Sequence, residues 1–173
     1  YHTFVTRRFD RLAGRRRFFI SAMALLGRTE QDQSSYLELA ELISNRGHPG
    51  HIEADLRELF RRVLFNVAAS NRDDHLRNHG FIRELAGWRL APAYDMNPTT
   101  KRDAHVLALD EADPHPDIGL MLATAKYYRM NPESANAEWR RLRDVLGTWS
   151  ARAKRLGLNA EERAELEGCF LLE

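Results

Sequence analysis

The clearest periodic signal runs from Ile52 to Ala69. Ile52, Leu56, Leu59, Phe60, Val63, Leu64 and Val67 fall at i, i+4, i+7, i+8, i+11, i+12 and i+15, one continuous apolar stripe of helical period. Glu53, Asp55, Arg57, Glu58, Arg61 and Arg62 take the other positions, which predicts a helix with one buried and one charged face. Shorter stretches carry the same period. Ser21 can cap a helix through Met23, Leu25 and Leu26 that Gly27 ends, and Tyr36 to Ile43 forms another that closes near Asn45 to Gly47. Asp117 caps a helix with Ile118, Leu120, Met121, Leu122 and Tyr128. Asn131-Pro132 opens a long helix through Trp139, Leu142, Val145, Leu146 and Trp149, and Asn159 caps a last one.

Strand signals are fewer. Thr3 to Phe9 alternates and is rich in Thr and Val, so it is predicted as a strand, with Leu12-Ala13-Gly14 as the turn into a returning Arg15 to Ile20. Gly80 to Arg83 and Trp88 to Ala91 predict a hairpin around Glu84 to Gly87, ended by Pro92, and Val106 to Leu109 reads as a further short strand or extended run. The fold class expected is therefore mainly α (α+β), one unit over 1–173, with a few short strands.

Between the longest helix and the hairpin lies the densest chemistry in the chain. Asn71-Arg72-Asp73-Asp74-His75-Leu76-Arg77-Asn78-His79-Gly80 holds carboxylates, carboxamides, imidazoles and guanidiniums within ten residues. A buried striped helix leading into such a segment is a rigid platform on which a site can be preorganised. Asn78 follows Asp73 by five residues, and Asp95 follows it by twenty-two, in Ala93-Tyr94-Asp95-Met96-Asn97-Pro98. Carboxylates of this kind can accept protons, and carboxylate and carboxamide oxygens are hard metal donors. Asp74 and His79 are read as structural or solvent-facing.

Composition narrows the classes. Hydrophobic residues make up 43% and charged ones 29%, a globular balance. No apolar run approaches the roughly 20 residues of a membrane span. The single Cys169 excludes an internal disulfide and fits a reducing cytoplasm. A net charge of +1 provides no overall field for nucleic acid, and Arg15 to Arg17, without interleaved aromatics, reads as a solvated run. The only lysines are Lys101, Lys126 and Lys154, so none precedes the polar segment, and residue 1 is Tyr rather than Met.

The order of helix, polar loop, hairpin and isolated Asp resembles the catalytic lobe of a protein kinase. More narrowly, Asn71 to Asn78 with Leu90 to Pro98 resembles the HipA family of bacterial toxin-type serine/threonine kinases, and Phe4 to Arg11 resembles that family's hinge strand. The resemblance implies a kinase-like C-terminal lobe with ATP and Mg2+ as cofactors. Asp73 would then be the catalytic base and Asn78 and Asp95 the metal ligands. Arg7, Phe9, His75 and Arg77 would lie at the nucleotide. Arg7 stands where the family usually has an acidic residue, and Arg77 where Lys is common. It also implies a Ser/Thr protein substrate, a DNA-binding antitoxin partner and a phosphate-covering lobe upstream of Tyr1, without which the fragment would be inactive. Two other classes stay open: a kinase-shaped interaction module without activity, and a metal-dependent phosphohydrolase built on Asp73, Asp74, His75 and Asp95. The hydrolase needs further ligands, and His105 and His115 follow no suitable spacing.

Overall fold

The computed structural model describes residues 3, 5–99 and 104–172. The expected long helix is α3, Ile52–Ala68, and it is the axis of the core. Leu56, Leu59, Phe60, Val63 and Val67 are all fully buried. Full burial of each such side chain contributes about 1.5–3 kcal/mol, which makes this stripe the main anchor of the fold. Two of its charged positions are also buried. Arg62 is covered while its Nε donates to Glu58, and Asp55 accepts Arg89 Nε and Nη2 at 2.9 and 3.1 Å and the Leu90 amide at 3.1 Å. The polar face expected for Asp55 is thus a clamp that holds a strand against the helix.

That strand belongs to a three-stranded antiparallel sheet, β3–β4–β5, of Phe19–Ser21, Gly80–Glu84 and Gly87–Leu90. Before it, β1 (Arg11–Leu12) and β2 (Arg15–Arg16) pair in a small hairpin around Ala13-Gly14. Two strand expectations change. The described residues of the Thr3 to Phe9 stretch form no strand, Phe9 sits in a turn, and Phe4 lies outside the described residues. The segment Arg15 to Ile20 splits: its first residues close the hairpin, while Phe19 and Ile20 pair with Ile82 and Phe81. Alternation marks the ability to pair but does not select the partner.

Helix α1 (Ala22–Leu26) is capped by Ser21, whose Oγ accepts the Ala24 amide, and ends at left-handed Gly27. Helix α2 (Tyr36–Arg46) packs on α3. The run after residue 104 forms a parallel bridge, Ser35 to Ala108, with Leu107 and Leu109 buried. Helix α4 (Ile118–Ala123), capped by Asp117, passes into a 3-10 turn, Thr124–Tyr128. Helix α5 (Pro132–Leu146) is capped by Asn131 and stops at Gly147, short of Trp149, which begins α6 (Trp149–Arg155). Helix α7 (Ala160–Glu167) opens with a capping box of Asn159 and Glu162. Among the described residues no helix is long and apolar enough to cross a membrane.

Candidate functional site

Helix α3 stops in a way the sequence does not advertise. Ser70 takes a left-handed backbone (φ 51°), the Asn71 amide donates to Asn66 O (2.8 Å) and the Ser70 amide to Val67 O (3.3 Å). This is the Schellman arrangement, usually completed by glycine. Ser70 O then accepts the amides of Arg72 (2.9 Å) and Thr99 (2.8 Å), so this turn also receives the segment that follows Asp95.

From here the polar loop alternates in depth. Asn71, Asp74, Leu76, Asn78 and His79 are buried, and Asp73 and Arg77 are exposed. Leu76 to Asn78 is a 3-10 turn, with the Asn78 amide donating to His75 O (2.8 Å). The buried members meet at one carboxylate oxygen. Asp74 Oδ2 accepts Tyr36 Oη at 2.8 Å and Asn66 Nδ2 at 2.8 Å, and His79 Nε2 lies 2.7 Å away. Burial acts to raise the Asp74 carboxyl. It is outweighed by the His79 charge, by the bonds from His79 and Tyr36 and by the His75 charge, so the group lies below the usual carboxylate range. Tyr36 is driven well above the ordinary phenol value, by burial first and then by Asp74. Of the two readings left open for Asp74 and His79, the structure shows the structural one: neither faces solvent.

The Tyr94-Asp95 pair docks on this loop. Tyr94 Oη donates to Arg77 O (2.7 Å), and Asn71 Nδ2 donates to Asp95 O (3.3 Å). Burial is the main cause that lifts the Tyr94 phenol to about 12, so it stays a neutral donor. Asp95 itself has a left-handed backbone (φ 57°) and an exposed side chain, with Oδ1 accepting Asn97 Nδ2 at 3.1 Å. Asn78 and Asp95 are therefore linked by the bond from the Tyr94 side chain to the Arg77 carbonyl, each one residue away.

Two cavities flank the loop. One of about 300 Å³ is lined by Asp73, His75 and Arg77 with Thr29, Glu30, Asp32 and Ser34 of the connection before α2. There Arg77 pairs with Glu30. The other, about 690 Å³, is lined by Arg7, Phe9, Phe19, Tyr94, Asp95 and Asn97 among others. Phe9 stacks on Tyr94 (centroids 6.1 Å) and meets the edge of Phe19 (5.5 Å), which gives this cavity an aromatic wall. The sequence-predicted residues thus divide: Asp73, His75 and Arg77 share one cavity, Arg7, Phe9 and Asp95 the other, and Asn78 lies buried in the loop near the start of β4. Among the described residues no three His, Cys, Asp or Glu side chains gather as a metal site. His48 and His51 form a surface turn with ring centroids 4.9 Å apart. The residues missed by sequence reasoning are Tyr36 and Asn66. Each sits inside an apolar stripe, and a lone polar residue at a buried helical position was the available signal.

Fold and site together define an α+β lobe in which a buried polar knot carries two exposed carboxylates at the edges of two cavities. The chain belongs to the HipA-like C-terminal domain family, matched over residues 1–165. It is similar in fold to a chain of the solved Shewanella oneidensis MR-1 toxin–antitoxin complex of HipA, HipB and operator DNA, with a TM-score of 0.69 and 17% identity. The match covers 93% of this chain and 44% of that one, so this chain spans less than half of its neighbour's length. No curated protein sequence matches it.

Proposed function

We propose that this chain is the C-terminal catalytic lobe of a longer HipA-type serine/threonine protein kinase that uses ATP and magnesium, in a toxin–antitoxin pair. The observation that carries the proposal is the docking of Tyr94-Asp95 onto the loop of Asp73 and Asn78 by the Tyr94–Arg77 and Asn71–Asp95 bonds. Two segments twenty-two residues apart in sequence are held together by these two polar contacts, which a mere surface turn does not need.

In this reading Asp73 accepts the proton of the substrate Ser or Thr hydroxyl as its oxygen bonds to phosphorus and the bond to the ADP oxygen breaks. Its exposure beside the 300 Å³ cavity leaves it open to a protein acceptor. Asp95 at the larger cavity and Asn78 in the loop would hold a magnesium ion through one carboxylate and one carboxamide oxygen. The donor set fits: hard oxygen, few protein ligands, the rest left to water and phosphate. Magnesium–ATP, when bound, provides the phosphoryl group and the charge that offsets its oxygens. Phe9 and Tyr94 offer flat apolar surface for a base in the larger cavity, with Arg7 at its rim. His75 and Arg77 line the smaller cavity with Asp73, where they would offer donors to the phosphate oxygens of the nucleotide. For Arg77 this requires release from Glu30, a pair between half-exposed groups that holds it only weakly. The HipB and operator DNA named with the structural neighbour support a DNA-binding protein partner for the whole protein.

Transfer of labelled phosphate by the full-length protein is the test. Asp73→Asn and Asp95→Asn should each lower it by a factor on the order of 10³ or more, with the fold intact by circular dichroism. Unchanged transfer in both variants sinks the assignment. Absence of transfer in the wild type, with partner binding retained, favours an interaction module without activity.

A further inference from the structure

The apolar face of α3 is interrupted by Asn66, which is 2% exposed. Its carboxamide faces two ways. Nδ2 donates to Asp74 Oδ2 (2.8 Å) and lies 3.4 Å from Tyr36 Oη, while Oδ1 accepts Asn71 Nδ2 (3.0 Å). Asn71 Nδ2 has a second hydrogen, and it goes to Asp95 O (3.3 Å). One side chain on the most buried helix thus bonds to the neighbour of Asp73 and, through one further carboxamide, to the backbone of Asp95.

We propose that Asn66 is the positioning residue that fixes the Asp73 loop and the Asp95 segment relative to each other. The proposal rests on the phosphotransfer reading for its consequence in catalysis, but not for its geometry. Only a side chain with a donor on one side and an acceptor on the other satisfies both neighbours. An Asp here has no proton for Asp74 and sets two carboxylates against each other in a buried site. A Leu fills the space and leaves both neighbours short of a partner. A Gln is longer by a methylene in a packed interior. Left-handed Asp95 sharpens the need, because a non-glycine residue with φ 57° keeps that backbone only where its surroundings fix it.

The test compares Asn66→Leu, Asn71→Ala and Tyr36→Phe in the full-length protein. The last removes one donor to Asp74 and the long contact to Asn66 Nδ2, and leaves the Asn66–Asn71 and Asn71–Asp95 bonds in place. Hydrogen exchange at the Thr99 amide, which donates to Ser70 O just beyond Asp95, reports on that path without any need for activity. Asn66→Leu and Asn71→Ala should each speed Thr99 exchange by about tenfold and leave Phe81 and Ile82 in the sheet unchanged, and Tyr36→Phe should leave Thr99 as in wild type. Phosphate transfer per folded molecule should fall on the order of 10- to 100-fold in the first two variants, in kcat more than in the acceptor KM. If Asn66→Leu does not fold, Asn71→Ala cuts the same path at its far end and decides the matter. Wild-type Thr99 exchange in either variant that folds, with only a lower Tm, makes Asn66 a packing residue and overturns the proposal. A wild type that transfers no phosphate removes the kinase reading, and the exchange result still decides for or against Asn66.

Discussion

Single residues here act through burial. His105 is 5% exposed, and its ring has at most a weak backbone contact with Asn71 to satisfy its buried nitrogens. Burial, and then the Arg72 charge, push its pKa down from 6.5 to about 4. The unfolded chain therefore binds a proton at this residue that the folded chain refuses, between about pH 6.5 and pH 4. Stability must fall as pH drops through that window, by roughly 3 kcal/mol at most from this group. His105→Leu should flatten the slope of urea-unfolding free energy between pH 6.5 and 4.5. An unchanged slope would mean that His105 is protonated in the fold. Asp74 acts in the same direction but lower down: its depressed folded value gives stability that is present above about pH 4 and lost as pH falls further. The two residues thus separate along the pH axis, and only the His105 variant should alter the upper window.

Elements meet at places where a side chain has no room. Trp88 bridges to Gly47 in parallel, and the His48 amide donates to Trp88 O at 2.8 Å, which seats β5 on the end of α2. A Cβ on Gly87 would stand 2.6 Å from Gly47 O and His48 N, both backbone atoms that cannot swing aside. Gly87→Ala should cost about 1–3 kcal/mol, seen as a lower urea midpoint at constant m-value. Gly168→Ala is the control, since its Cβ would meet nothing within 4 Å and its φ of −74° suits alanine. It should be neutral or stabilising by a few tenths of a kcal/mol. A loss in the control equal to that in Gly87→Ala would show that the contact at Gly47 is not the cause. The same clamp explains why Asp55 left the polar face of α3: Arg89 and the Leu90 amide satisfy it from β5.

For the molecule as a whole, α3 is the common wall. Its buried stripe gathers α2, α4 and α5, Arg61 pairs with Glu138 of α5, and the Leu171 amide returns to Ala68 O. Such a core should fold without help from ligands. On the proposed function the two cavities flank the loop as acceptor side and nucleotide side, and phosphoryl transfer depends on clamping from all sides. The 173-residue chain alone should therefore bind Mg-ATP weakly, with Kd on the order of 1 mM or above by calorimetry, and show no steady turnover. Micromolar affinity with turnover would mean that this lobe is a complete enzyme.

How much of this was legible varies with the range of the interaction. Periodicity marked α3, α2, α5 and the β4–β5 hairpin, because amphipathic burial is encoded every few residues. Caps at Ser21, Asp117, Asn131 and Asn159 were readable for the same reason: donor and acceptor lie within three residues. The polar loop and Asp95 stood out by residue type and spacing alone. The loss of the expected first strand, the transfer of Phe19 to β4 and the break of α5 at Gly147 depended on which surfaces met which. So did the buried knot. Nothing near Tyr36, Asn66 or Asp74 in sequence says that they share one oxygen, since they are separated by 30 and by 8 residues and joined only when α2 packs on α3. The sequence by itself determined the elements and the list of reactive groups, which depend on local periodicity and chemistry. Tertiary structure decided which of those groups are buried partners and which are left at a cavity, because burial belongs to the packed chain and not to any one stretch of it.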